Sequence, residues 1–128
     1  MSEVRRDRDR GYRDLIAWQK GVELVGAVYR TTESWPRDEQ FGLTNQVRRA
    51  VVSVPANIAE GKGRTGSREF LHHLPIAHGS LCEVETHLHI ANHLAYLDHH
   101  ALDPLLDQSA EVGRLIRGIM KRLRQQPI

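Results

Sequence analysis

Two polar stripes hold the residues whose types and spacing could do chemistry. Arg49, Ser53, Asn57, Glu60 and Arg64 recur every three or four residues, the spacing that puts side chains on one face of a helix. Further on, Glu69, Ser80 and Glu83, accompanied by His73 and His87, make a second such face. Facing each other, the stripes could close a charge-paired, hydrogen-bonded network. Charges of this kind leave water only when paired. Such a network fixes the register of two helices or two subunits and perturbs ionisation without doing chemistry, so the expected role is structural and no catalytic residue is assigned.

Eight histidines raise the question of a metal. Glu85, His89 and His93 stand at i, i+4 and i+8, and Glu69 with His72 forms one Glu-x-x-His pair. A di-iron bundle needs that pair twice with two further carboxylates. Three ligands spread over two helical turns are also too far apart for one zinc ion. No metal and no other cofactor is therefore expected. Ser53 and Cys82 lack the setting of a nucleophile, and a lone cysteine on a helix is more often a small apolar residue.

The third grouping is cationic. Lys62, Arg64 and Arg68 sit among Gly61, Gly63 and Gly66, a basic corner loosened by glycine where backbone amides could meet phosphate. A phosphate-binding P-loop follows a strand, whereas this corner follows a helix. Late in the chain Arg114, Arg117, Lys121, Arg122 and Arg124 crowd one outer face.

Four helices are needed to position these groups. Residues 1–13 alternate Arg with acids and hold almost nothing to bury, so they read as a flexible charged arm. Asp14 is a plausible N-cap for a first helix whose apolar spacing runs Leu15, Trp18, Val22, Val25, Val28 and Tyr29, ending before Pro36. A second helix opens at Arg37 to Gln40, with Asp38 and Glu39 near its positive end. Its core stripe is Val47, Ala50, Val51, Val54 and Ile58, and glycines end it. Its remaining side, Val52, Ala56 and Ala59, is small and apolar where a solvated helix would carry Lys and Glu. That helix therefore has one neighbour inside its bundle and room for one outside. Ser67 is the expected cap of a third helix with a heptad-like rhythm: Phe70, Leu74, Ala77, Leu81, Val84, Leu88, Ala91 and Ala95. Asp98 is the candidate cap of a fourth, which buries Leu102, Leu105, Leu106, Val112, Ile116, Ile119 and Leu123. Pro55 and Pro75 interrupt the second and third helices and predict bends. The fold class is all-α: an up-down-up-down antiparallel four-helix bundle over residues 14–128.

Composition agrees. At 128 residues the chain suits one domain, and with 5% aromatics its core must be aliphatic, which fits packed helices. One cysteine excludes an internal disulfide, and no apolar run approaches the roughly 18 residues of a membrane span, so a cytoplasmic protein is expected. A net charge of +2 permits polyanionic partners without demanding them.

The runs LIAWQKGVELVGAVYR, QVRRAVVSVPANIAEGKGR and EFLHHLPIAHGSLCEVET resemble the four-helix-bundle family of proteins encoded in 23S rRNA intervening sequences, over about residues 14–123. The resemblance carries over Arg48, Arg49, Ser53, Asn57, Glu60, Gly61, Arg64, Glu69, Phe70, Ala77, Gly79, Ser80, Glu83 and Glu85. His78 departs from it, standing where many members have Arg. Pro75 replaces a small polar residue, so any anion contact by that part of the third helix is in question. The family implies a cytosolic bundle, in some cases a ring-shaped homopentamer, with no established enzymatic activity. It is similar to the accessory variability determinants of diversity-generating retroelements, which are pentameric and bind nucleic acid.

The reading is a non-enzymatic, homo-oligomeric binding or scaffold protein engaging RNA or DNA phosphates through Arg48, Lys62, Arg64, Arg68, Arg114, Arg117, Lys121, Arg122 and Arg124. The alternative is a protein–protein assembly module in which Arg48, Arg49 and Arg64 serve subunit contacts. A metal- or small-ligand-binding bundle comes third.

Overall fold

The computed structural model describes residues 11–63 and 66–126, so most of the expected arm, and Arg64 in the basic corner, lie outside the described residues. Among the described residues there are four α-helices and no strand: α1 (Ile16–Thr32), α2 (Leu43–Gly63), α3 (Ser67–His93) and α4 (His99–Gln125). Two short 3₁₀ turns, Gly11–Asp14 and Arg37–Glu39, precede α1 and α2. None of the helices is long and apolar enough to cross a membrane.

Each helix packs on the next, and α4 closes the bundle against α1. Neighbours run antiparallel, as the paired residues show. Ser53 meets Ser80 while the later Asn57 meets the earlier His73. Across α3 and α4, Ser67 meets Gln126, His78 meets Arg117 and Glu85 meets Ser109.

The heptad rhythm of α3 is realised closely: Phe70, Leu74, Ala77, Leu81, Val84, Leu88 and Ala91 are all buried. Ala95 is not part of that stripe. It is exposed just beyond the helix at φ 64, in the left-handed turn that sends the chain toward α4. In α1 the buried line is Ala17, Gly21, Leu24, Val28 and Thr32, rotated from the larger apolar residues, so Val22 and Tyr29 face out. Small residues win that position because Gly21 lets α1 lie against Pro55, which is itself buried. Both α2 and α3 continue as helices through Pro55 and Pro75.

Two of the expected caps differ, as does the start of α2. Leu15, not Asp14, occupies the N-cap of α1, because Gly11, Tyr12, Arg13 and Asp14 form the preceding 3₁₀ turn, with the Tyr12 ring edge-on to Trp18 at 5.2 Å. Gly66 at φ 91 and ψ 162, not Ser67, precedes α3, in a backbone region that is essentially glycine's. Arg37 to Gln40 form a separate turn ahead of α2. Glu39 nevertheless caps that helix, accepting from Leu43 N at 3.1 Å and from the Tyr96 hydroxyl at 2.8 Å. Asp98 caps α4 as expected, accepting from Ala101 N at 3.0 Å. Trp35, which marked only a helix boundary in the sequence, is buried, its ring 6.0 Å from Tyr96.

The Leu43 amide, and after it Tyr96, hold the Glu39 carboxyl below its ordinary value, and Glu39 in turn holds the Tyr96 phenol above 10.0. A depressed acid contributes stability present above its unfolded value and lost as pH falls through the folded one. A raised phenol contributes stability present below its unfolded value and lost as pH rises through the folded one. Glu39→Gln should therefore flatten both the acid and the alkaline fall in melting temperature. Parallel pH–melting curves for the two proteins check this.

A second test separates packing from propensity. A methyl on Gly61 would lie 2.7 Å from His73 Cβ and 3.1 Å from Phe70 Cδ1, whereas one on Gly79 meets nothing within 4 Å. Gly79→Ala should stabilise by about 0.5–1 kcal/mol, and Gly61→Ala should destabilise by about 1–3 kcal/mol despite the same propensity gain. Urea unfolding of the pair measures both.

Candidate functional site

The seam between α2 and α3 gathers part of the expected network. Ala50, Ser53, Asn57 and Gly61 follow one another down the side of α2 that faces α3, and their small size brings the helices close. Ser53 Oγ and Ser80 Oγ are 2.8 Å apart. Asn57 Nδ2 donates to Ser53 O at 2.9 Å and to Ser53 Oγ at 3.0 Å, and its Oδ1 lies 3.2 Å from His73 Nδ1. Ser53, Asn57 and Ser80 thus meet as expected, joined by the buried His73. His73 had been placed on the polar face of α3 but not in the network.

Arg49 and Glu69 stand apart: both are exposed, and among the described residues no hydrogen bond or ion pair ties either to the seam, while Glu60 is exposed on α2. Among the described residues Glu83 approaches His87 alone, its Oε2 at 3.5 Å from Nε2. The neutral groups satisfy one another, so no ion needs to enter. Nor does the seam form a nucleophilic triad, because Asn57 stands between Ser53 and the imidazole, and a base must reach the nucleophile directly.

Arg48 is not part of a basic surface. Its Nε donates to Thr32 Oγ1 at 2.8 Å and its Nη2 to Tyr29 O at 3.4 Å, with the guanidinium 4.5 Å over the Tyr29 ring. It ties α2 to the C-terminal turn of α1, where the helix dipole favours a cation. Glu85 is also engaged, accepting from Ser109, which is fully buried, at 2.5 Å. Among the described residues no group of three or more His, Cys, Asp or Glu is placed to hold a metal ion. Cys82 is exposed.

The other expected cations come together. The Ser67 hydroxyl donates to Gln126 Oε1 at 3.2 Å, which sets the start of α3 beside the end of α4. Lys62 and Arg68 therefore share one end of the bundle with Arg117, Lys121, Arg122 and Arg124, all of them exposed. Arg114 lies one turn back on α4 and is also exposed. The opposite end carries Glu33, Asp38, Glu39, Asp98 and Asp103, with Arg30 and Arg37 among them. Within α4 alone, Asp103, Asp107 and Glu111 precede all five cations. Sequence spacing had found each cluster but not their meeting, which only the antiparallel topology creates.

Between α3 and α4 at the basic end lies a cleft of about 430 Å³ lined by Pro75, His78, Arg117, Met120, Lys121, Arg124 and Gln125. His78 Nε2 is 2.9 Å from Arg117 Nη1. A guanidinium only donates, so this imidazole nitrogen accepts.

An all-α antiparallel bundle, with a polar seam inside and cations drawn to one end, is the class of protein these features define. Residues 13–118 match the model of the 23S rRNA-intervening sequence protein family, and the chain belongs to that family. Its fold is similar to a 1.70 Å crystal structure of a protein of unknown function from the S23 ribosomal protein family of Bacteroides thetaiotaomicron. The two are 22% identical, the match covers 83% of this chain and 99% of the other, and the TM-score is 0.74. No functionally curated protein matches.

Removing the middle of the seam tests its role. Asn57→Ala strands Ser53 and His73 and should cost about 1–3 kcal/mol, whereas Ser80→Ala removes one end and should cost about 1 kcal/mol. Both should keep wild-type helicity. Equal, negligible losses in urea unfolding would show the seam to be neutral.

Proposed function

We propose that this protein is a non-enzymatic, homo-oligomeric binding or scaffold protein of the cytoplasm that engages RNA or DNA through phosphates at its basic end. One observation carries the reading: the Ser67–Gln126 contact unites Lys62 and Arg68 with the cations of α4. Among the described residues no carboxylate pairs with Arg117, Lys121, Arg122 or Arg124, so their charge is available to a polyanion. Phosphate contacts of this kind position a nucleic acid without reading its bases. Arg64 belongs to the proposed surface by its place in the chain, whereas Arg48 is tied to Thr32 and Tyr29.

The homo-oligomer, a five-membered ring in this reading, is supported by the outer side of α2 and α3. Val52, Ile76 and Ile90 are each more than two-fifths exposed there, close to Arg49 and Glu83, whose charges have no partner within the seam. A cyclic assembly needs a heterologous surface of this sort, and repeating the basic end around a ring would raise its affinity for a polyanion. The same surface favours a second reading, in which the protein assembles only with protein.

Salt separates the two. Binding to duplex DNA should weaken steeply with salt, and the double variant Arg117→Glu, Lys121→Glu should reduce the log–log slope by about two, near 0.9 per phosphate contact. Absence of binding at low salt by an intact oligomer would leave the assembly reading. Ile76→Glu should lower the mass in light scattering to that of a monomer while keeping helicity; an unchanged mass would remove α3's outer face from the assembly.

A further inference from the structure

We propose that the α3–α4 cleft at the basic end seats a single unstacked nucleotide of a single-stranded nucleic acid, its base on the apolar floor and its phosphate on the cationic rim. The inference rests on the nucleic-acid reading above and adds which strand state is bound and where. Three observations carry it. The cleft has the volume, about 430 Å³, of a small-ligand site. Its floor is apolar, built from Pro75 and Met120, and its rim is cationic, built from Arg117, Lys121 and Arg124, with no carboxylate among the lining residues. Finally, Arg117 is held in place: His78 Nε2 accepts one of its hydrogens at 2.9 Å, leaving the other donors and the planar face of the guanidinium free.

That combination discriminates between strand states. A duplex offers a surface of phosphates and keeps its bases inside, so it can use the rim but not the floor. An unpaired nucleotide offers both a charge and a flat apolar ring, which proteins take up by stacking on aromatic or guanidinium planes within a basic groove. Pro75 suits the floor. A proline in mid-helix forfeits a backbone hydrogen bond, yet here it presents an exposed apolar ring beside the cations. Pro75 and His78 thus both line this cleft, one as floor and one as the brace on Arg117.

The experiment is fluorescence anisotropy of the full chain with labelled single-stranded RNA and DNA of one sequence, and with the matching duplex, at one salt concentration. Single strands should bind about tenfold more tightly than duplex. Met120→Ala and Pro75→Ser leave the charge unchanged and should each weaken single-strand binding about five- to tenfold, with duplex affinity and salt slope as before. Met120 is half-buried, so melting curves accompany both variants, and Pro75→Ser, at an exposed position, carries the test if Met120→Ala loses stability. Equal binding of single strand and duplex, with Pro75→Ser silent, overturns the cleft assignment and leaves the basic-end reading standing. Binding of neither nucleic acid at low salt overturns both, as does binding confined to anionic phospholipid vesicles.

Discussion

The constraint on which the bundle depends is how near α2 and α3 lie to each other. At Gly61 the gap to His73 and Phe70 is too small even for a methyl group. Helices held this close can carry only small residues between them, and Ala50, Ser53, Asn57 and Ala77 meet that demand. Small side chains bury little apolar area, so most of the hydrophobic stabilisation must come from elsewhere. Leu24, Val28, Ile58, Leu74, Leu81, Leu88 and Ile116 supply it in the interior. The polar atoms left within the seam are part-buried and satisfy one another. Apolar residues that other bundles would keep inside, Val52 and Ile76 among them, are turned outward by the same geometry.

The sequence was most readable where one neighbour decided a helix. In α3 a heptad-like rhythm named every buried apolar position from Phe70 to Ala91, though not the buried His73 and His87, because period and burial coincide there. In α1 the large apolar residues and burial do not coincide. Ala17 and Gly21 are buried although small, Gly21 against a proline thirty-odd residues away, and no local pattern announces that. Caps failed for a related reason: Ser67 and Asp14 are good cap types, but the chain enters each helix through backbone geometry that Gly66 and the first 3₁₀ turn determine. The site divides in the same way. Spacing alone aligned Ser53, Asn57 and Ser80, while the exclusion of Arg49 and Glu69 from the seam, and the use of Arg48 as a tie between helices, depend on distances across the bundle.

Charge shows what topology adds to composition. A net charge of +2 is close to neutral, yet the antiparallel arrangement brings the basic corner after α2 to the basic end of α4 and leaves the acids of both interhelical turns at the far end. The molecule is therefore polarised along its axis, with a local field that its overall charge conceals. Identical subunits packed side by side with their axes aligned would add these fields.

The seam also has a sense of direction. Ser53 O can only accept, so the Asn57 atom beside it must be the amide nitrogen, and the other amide atom facing His73 must be the oxygen. His73 Nδ1 is thereby the donor, while between Ser53 Oγ and Ser80 Oγ either hydroxyl can donate, because Ser53 Oγ keeps a second lone pair after accepting from Asn57. From imidazole to the first hydroxyl the bonds point the same way, and such a row polarises cooperatively. The α2–α3 contact thus fixes one orientation of amide and imidazole along with one register, and a slip of either helix would have to break the whole row at once.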